Sequence, residues 1–445
     1  MTAFVTLVLV LVPLVIVARG TWAVVRFARL PRQGKRHHLI MQWHRSRWRW
    51  FCRHAHPPLA YVDQHRPAAG LPGRTSVRVR AKSDAATQKL RYPKARRWRA
   101  DEFGWCCRVR TIPRVGRPQL EQAAEDLANS WRCARVQVSQ IKPGRVMLRG
   151  LRHDPLVEPF TEADVPPGVF GPLADVDLRD LRLYLGKDEW GEHRYVPLSG
   201  VAGITIGGMP GYGKTELVKS IVRQLAPLPV KFLFIDGKGS FDYEEYRGRA
   251  LILTGDDLGS AADALTAGHD EMRDRLGSIL DLTGGYTNGW HVGPHPGFEL
   301  QVTIIDECHT FYDLDGVKGD KDAERLVRQC RQLTAQLVKK GRSALCLTIV
   351  ITQKQTTDAC PSSIRDQCAV GMSFATRTRD GSVAALGETI KDYPTYDPTT
   401  LQDPAYVGVM TARLATGADP FTRIRVPRLT AQAAQARAAD LAEVE

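Results

Sequence analysis

The sequence has no CxxC pair among its nine cysteines, no Lys or Arg ahead of its long apolar run, and almost no acid between residues 26 and 100. Each absence excludes something. An odd number of cysteines, several inside apolar runs such as Ala344-Leu345-Cys346-Leu347, speaks against a disulfide framework or a zinc site. It suits buried thiols in a reducing compartment. A signal peptide needs positive charge before its apolar core. Here Ala3 to Ala18 is uncharged, and Arg19, Arg26, Arg29, Arg32, Lys35 and Arg36 all follow it. With 43% hydrophobic and 25% charged residues, the chain is neither disordered throughout, nor a collagen, nor a polytopic membrane protein.

What is present begins with length and charge. A chain of 445 residues predicts two to four domains. The formal net charge of +14 points to a polyanionic partner, nucleic acid or anionic lipid. That charge is concentrated: residues 26–100 hold 20 Lys and Arg against two acids, Asp63 and Asp84. The remainder beyond residue 100 is slightly acidic.

The apolar run reaches Val25 with Arg19 near its end. At 1.5 Å per residue it makes about 34 Å of helix, enough to cross a bilayer. The positive-inside rule then holds the C-terminal side in the cytoplasm. The expectation for residues 1–25 is a single-pass anchor in the cell membrane, entered through residues 3–25, with a signal or a buried helix as competing readings. Residues 26–98 read as a basic juxtamembrane segment interleaved with aromatics, as in Trp43-His44-Arg45-Ser46-Arg47-Trp48-Arg49-Trp50-Phe51. Two partners suit that pattern: anionic lipid at residues 26–53, or nucleic acid through phosphate neutralisation and base stacking. The stretch from Arg66 to Arg99 is more open to DNA. Six of the twelve histidines fall here without metal-ligand spacing.

Residues 99–153 read as a small α/β domain. Trp105 to Arg110 has the look of a strand, and Pro118 to Trp131 has helical spacing with Pro118 placed to start it. Arg135 to Val138 and Val146 to Leu148 are further strands around a turn at Lys142 to Arg145. Residues 154–174, rich in Pro and acids, read as a linker, and residues 426–445 as an Ala-rich tail. Across residues 175–425, short apolar runs alternate with helical patterns, the signature of a parallel sheet with crossover helices.

The strongest chemical signal is Gly208-Met209-Pro210-Gly211-Tyr212-Gly213-Lys214-Thr215, which fits G-x-x-x-x-G-K-[ST] between a strand (Val201 to Ile206) and a helix (Glu216 to Leu225). Glycines let such a loop wrap phosphates with backbone N–H groups, and the helix N-terminus adds positive potential. Lys214 reaches the β/γ-phosphates, and the Thr215 hydroxyl ligates Mg²⁺. ATP with Mg²⁺ is the implied ligand. The apolar run Val302 to Ile305 then ends in Asp306-Glu307, at the edge where open α/β sheets bind ligands. Asp306 is expected to serve the Mg²⁺, and Glu307 to orient the attacking water as base. A third apolar run, Cys346 to Thr352, ends in Gln353, a candidate sensor of the γ-phosphate. A fourth, Val230 to Ile235, ends in Asp236 near the site.

In this order the motifs resemble the FtsK/SpoIIIE family of DNA-translocating ATPases over residues 103–390. Leu185-Gly186-Lys187-Asp188 with Gly191 is similar to the family's lead-in to the phosphate loop. Phe234-Ile235-Asp236-Gly237-Lys238, Ile304-Ile305-Asp306-Glu307, and Lys340-Gly341-Arg342-Ser343 with Ile351-Thr352-Gln353 resemble its later motifs. Residues 103–150 resemble the small domain ahead of the motor. Met209-Pro210 and Tyr212 depart from the family's small polar loop residues, and no winged-helix-like domain fits after Arg425. A short, singly anchored version looks most like the transfer (Tra) proteins of actinomycete integrative and conjugative elements. The resemblance implies an α/β, RecA-like P-loop NTPase motor that moves double-stranded DNA as a homo-hexamer. It further implies an arginine finger acting in trans, with Arg377 and Arg379 the nearest candidates. Chromosome segregation, or a nucleotide-binding coupling protein that docks DNA at a secretion channel, are the alternatives within that class. A small-molecule kinase does not suit the anchor and basic segment, and no LSGGQ-like signature of a transporter ATPase occurs.

Overall fold

The computed structural model describes residues 32–63, 89–170, 177–240, 242–354, 359–414 and 420–429, with Val25, Ala28 and Thr356. The expected anchor lies outside the described residues apart from Val25, as does the tail beyond Leu429. No helix of the described residues is long and apolar enough to cross a membrane. The chain divides into two compact units, Met1–Asp154 and Pro155–Glu445.

The first unit opens with helix α1 (Arg32–His54) and a small antiparallel ribbon, β1 (Tyr61–Asp63) with β2 (Lys89–Arg91). Its body is a four-stranded antiparallel sheet of β3 (Lys94–Ala100), β4 (Gly104–Arg110), β5 (Arg135–Lys142) and β6 (Arg145–Leu151), in the order β3-β4-β6-β5. The helical stretch expected from Pro118 to Trp131 forms as two pieces, α2 (Arg117–Gln122) and α3 (Ala124–Trp131), broken at Ala123. The turn between β5 and β6 uses Gly144 at φ +75°, a left-handed conformation that glycine adopts without steric cost.

This core differs from the sequence expectation in one respect. Residues 26–98 read as a segment apart from the small domain, yet α1 is built into that domain's core. Met41, His44, Trp48, Phe51 and Cys52 recur at helical spacing and are buried with Trp105, Leu127, Trp131 and Val138. The Trp48 indole N–H donates to Pro93 O at 2.7 Å. The His44 ring stacks on Trp105 with centroids 4.8 Å apart, and neither ring nitrogen has a hydrogen-bond partner. Burial pulls its pKa down to about 4, because a charged imidazole there has nothing to replace its lost hydration. Arg and His between the aromatics hide the buried stripe from a composition-level reading.

The second unit carries a ten-stranded sheet. Its strands are β7 (Arg182–Asp188), β8 (His193–Pro197), β9 (Gly203–Gly207), β10 (Val230–Asp236), β11 (Ala250–Thr254), β12 (Leu300–Asp306), β13 (Cys346–Thr352), β14 (Val370–Ser373), β15 (Val409–Arg413) and β16 (Phe421–Arg425). The order is β11-β10-β12-β13-β9-β14-β15-β16-β7-β8. The first six strands in that order run parallel, and the last four add antiparallel pairs. The central parallel strands are apolar along their length because both faces are covered.

Alternate residues divide between those faces. Ile204, Phe232, Phe234 and Ile304 pack with Leu217 and Ile221 of α4 (Lys214–Leu225). Ile235, Ile305 and Val350 face Leu265 and Met272 of α5 (Leu258–Gly277), and Leu337 of α6 (Lys321–Lys340). Asp257 caps α5 by accepting from the Ser260 N–H, and Asp320 caps α6 by accepting from Asp322 and Ala323. Each cap is worth about 1 kcal/mol. A last helix, α7 (Arg379–Leu386), follows β14.

The expected linker also turns out to be structured where it is described. Leu156 and Phe160 are buried, Phe160 O accepts from the Arg428 N–H at 2.9 Å, and the Arg425 guanidinium donates to Leu156 O. These apolar residues, with Glu162 and Phe170 against Arg223, lay this stretch along the second unit.

Candidate functional site

Strand order decides what shares the carboxyl edge of the sheet. β13 lies between β9, which runs into the phosphate loop, and β12, which ends in Asp306. In register, Gly207 sits opposite Thr352 on one side and Ser373 on the other, and Asp236 sits opposite Asp306. Residues 208–215, 236, 306, 307 and 353, scattered along the chain, therefore open onto one edge.

The loop is shaped by its glycines and pinned from one side. Gly208 has φ +137°, and a Cβ there would lie 2.7 Å from the Phe374 side chain. Gly213, the residue before α4, has φ +108°. The Met209 N–H donates to Ala375 O at 2.7 Å, the Tyr212 hydroxyl donates to Gln402 O at 2.7 Å, and Tyr212 O accepts from the Gly408 N–H at 3.0 Å. Met209 and Tyr212 also pack on a small apolar cluster of Leu156, Ala375, Leu401 and Val409. These contacts give the two departures from small polar loop residues a structural reason. Pro210 and Gly211 lie at the loop's tip, where Gly211 has φ +78° with open space around it.

Lys214 is buried, and its Nζ donates to Gly208 O and Met209 O, both at 2.9 Å. Burial pulls its pKa down to about 8, while the Glu307 and Asp306 carboxylates pull it back toward the charged form. Thr215 follows in the first turn of α4, half-buried.

Asp306 and Glu307 are both buried. Asp306 Oδ2 accepts from the Tyr243 hydroxyl at 2.8 Å, and Oδ1 from the Glu307 N–H at 2.8 Å. Burial pushes the Asp306 carboxyl above the usual carboxylate range, and the neighbouring Asp236 and Glu307 add to the rise. The Tyr243 hydroxyl is driven well above its ordinary value by burial and by Asp306, so it stays a donor. Three buried acids at this edge, Asp236, Asp306 and Glu307, have one buried cation beside them, Lys214, and a divalent cation would supply the rest of the counter-charge. The Thr215 hydroxyl and the Asp306 carboxylate are oxygen donors of the kind Mg²⁺ takes.

Glu307 stands at φ +48°, in the left-handed region, at a cost of about 1 kcal/mol. Backbone strain of this kind collects where a side chain must be aimed. Its Oε1 accepts from the Gln353 N–H at 3.1 Å, and His309 Nδ1 lies 2.6 Å from the same oxygen without an aligned hydrogen bond. Its Oε2 is buried with no partner.

The structure thus brings together every predicted phosphate-loop residue, Asp306, Glu307 and Gln353. Arg377 and Arg379 sit apart, exposed on the segment after β14. Arg379 Nε is 3.7 Å from Asp397 Oδ2, and Arg377 O accepts from the Gln402 amide. Sequence reasoning missed Tyr243, His309 and the loop around Gln402 and Gly408. Tyr243 carried no signal, since it lies in a loop 63 residues before its partner. His309 was two residues from Glu307, where proximity alone could have raised it.

The fold is mixed α/β with a large parallel sheet and resembles that of P-loop NTPase motors. The chain is similar to the pCW3 conjugation coupling protein TcpA, solved as a monomer with ATPγS, at a TM-score of 0.54 and 15% identity, over 79% of this chain and 94% of that one. It also aligns with the cytoplasmic domain of the type VII secretion ATPase EccC from Thermomonospora curvata (TM-score 0.44, 19% identity, 62% of this chain) and spans only 31% of that chain. EssC ATPases 2 and 3 from Geobacillus thermodenitrificans align at a TM-score of 0.45 and 15% identity, over 63% of this chain and 52% of that one. No protein-family model and no curated protein matches the chain.

Proposed function

We propose that this chain is an ATP-driven motor of DNA transfer, held at the cell membrane through residues 3–25 with its second unit in the cytoplasm. It moves double-stranded DNA during conjugation as a homo-hexamer. The observation that carries the reading is the convergence of Lys214, Asp306, Glu307 and Gln353 on one sheet edge, with the Gln353 N–H on the Glu307 carboxylate. The likeness of the fold to a conjugation coupling protein supports DNA transfer as the setting.

The geometry supports the following roles. Lys214 exchanges two carbonyl partners for phosphate oxygens, which hold its ammonium in the charged form. Thr215 and Asp306 hold Mg²⁺, which when bound neutralises phosphate charge. Glu307 Oε1 is fixed by Gln353 and flanked by His309, so Oε2, buried without a partner, is the oxygen left to take the proton of the attacking water. Gln353 is tied to the base itself, so a shift of its strand end is felt at Glu307. Arg377 or Arg379, exposed and apart from this chain's own edge, completes a neighbouring subunit's site.

The test is ATP turnover with and without linear duplex DNA. DNA should stimulate wild type, and Glu307→Gln should lower turnover by about 10²–10⁴-fold. Lys214→Ala should lose nucleotide binding as well. Wild-type turnover indifferent to DNA would sink the motor reading while leaving the ATPase site in place.

A further inference from the structure

α1 has two faces, and the core uses only one. On the other, Leu39, Trp43 and Trp50 stand 64%, 47% and 49% exposed. Their spacing of i, i+4 and i+11 puts them on one line along the helix. Arg36, Arg47 and Arg53 are exposed three or four residues from members of that line, and the 23-residue helix contains no acid. The Arg47 guanidinium lies 4.7 Å over the Trp43 ring, and Trp50 stacks on His54 at 4.4 Å.

We propose that this outer stripe lies flat on an anionic lipid surface, with Leu39, Trp43 and Trp50 at the headgroup–acyl boundary and the arginines on headgroup phosphates. An apolar line rimmed by cations is what an interfacial helix presents, and Trp and Arg both favour that depth. Duplex DNA matches the arginines but offers nothing to bury Leu39. A second copy of the chain brings one arginine row against another. The inference deepens the membrane attachment proposed above. It assigns the first unit a second membrane contact, through a helix whose inner face is fixed in the core, so the unit is held against the bilayer rather than tethered to it.

The full chain is reconstituted into vesicles carrying lipids brominated near the headgroup, either with phosphatidylglycerol or with phosphatidylcholine alone. Tryptophan emission is then read for wild type, Trp43→Phe/Trp50→Phe and Leu39→Glu. Wild type should be quenched more in the anionic vesicles, and both variants should lose that excess while unfolding at the wild-type temperature. Excess quenching that survives in Trp43→Phe/Trp50→Phe overturns the proposal. So does the opposite pattern: no quenching by vesicles, with duplex DNA changing the emission of those two residues in detergent. Alkaline extraction reports on residues 3–25 alone. Its failure would remove the anchor and leave the quenching to decide the stripe.

Discussion

The two units bury charge to different ends. In the first, α1 keeps its arginines outside, His44 enters the core as a ring stacked on Trp105, and the buried Arg149 and Asp154 are each paired with an opposite charge, Asp101 and Arg135. In the second, charge is taken inside: Lys214, Asp236, Asp306 and Glu307 are all buried at one sheet edge. Burying three acids beside one lysine is costly, and a fold whose only task were stability would avoid it. The contrast separates a unit built to be held together from one built to receive a charged ligand.

The largest expected effect breaks the first unit alone. Trp131 is the hub of its core, with ring contacts to His44, Trp48, Phe51, Trp98 and Trp105. Trp131→Ala should cost about 3–5 kcal/mol. Calorimetry should show one transition lowered while nucleotide binding by the second unit persists. Loss of both together would mean that the units do not unfold separately.

Acid should draw the same distinction more gently. His44 has a folded pKa of about 4, against 6.5 for an imidazole in water, so the unfolded chain takes up its proton first. Stability is complete above pH 6.5 and falls as the pH drops from there through 4, by on the order of 3 kcal/mol. Urea midpoints at pH 7, 5.5 and 4 measure it, and His44→Phe should remove this component of the slope. An unchanged slope in that variant refutes the assignment.

A smaller effect is expected at the charged edge. Tyr243→Phe deletes the donor to Asp306 without emptying its place against Phe234, where the rings stack at 5.2 Å. The half-saturating Mg²⁺ for ATP turnover should rise by about 10-fold, with little change in melting temperature. If only stability moves, Tyr243 is packing and does not position the carboxylate. Smallest of all, Tyr212→Phe removes the hydroxyl from Gln402 O, worth about 1 kcal/mol. ATP affinity should weaken several-fold, as read by equilibrium titration, and an unchanged affinity would show that the phosphate loop holds its shape without this tie.

The chemistry of the second unit was legible because it is local. A phosphate loop needs glycines at fixed offsets and Lys-Thr at a helix start, and a buried strand announces both itself and the residues at its end. Asp306, Glu307 and Gln353 were found in that way. Tyr243 was not, because a hydrogen bond across 63 residues leaves no periodicity to read. α1 was the harder case. Trp43, Trp48, Trp50 and Phe51 are equivalent as letters, and only the sheet beneath them makes Trp48 and Phe51 core and leaves Trp43 and Trp50 outside.

By itself the sequence determined the phosphate loop, the two acids, the polar strand end and the place of the positive charge, since each follows from near neighbours along the chain. Tertiary structure decided which strand lies between loop and acids, which oxygen of Glu307 is left without a partner, and which side of α1 faces out. Those depend on contacts between residues far apart in sequence, where burial and partner geometry, rather than spacing, set the free energy.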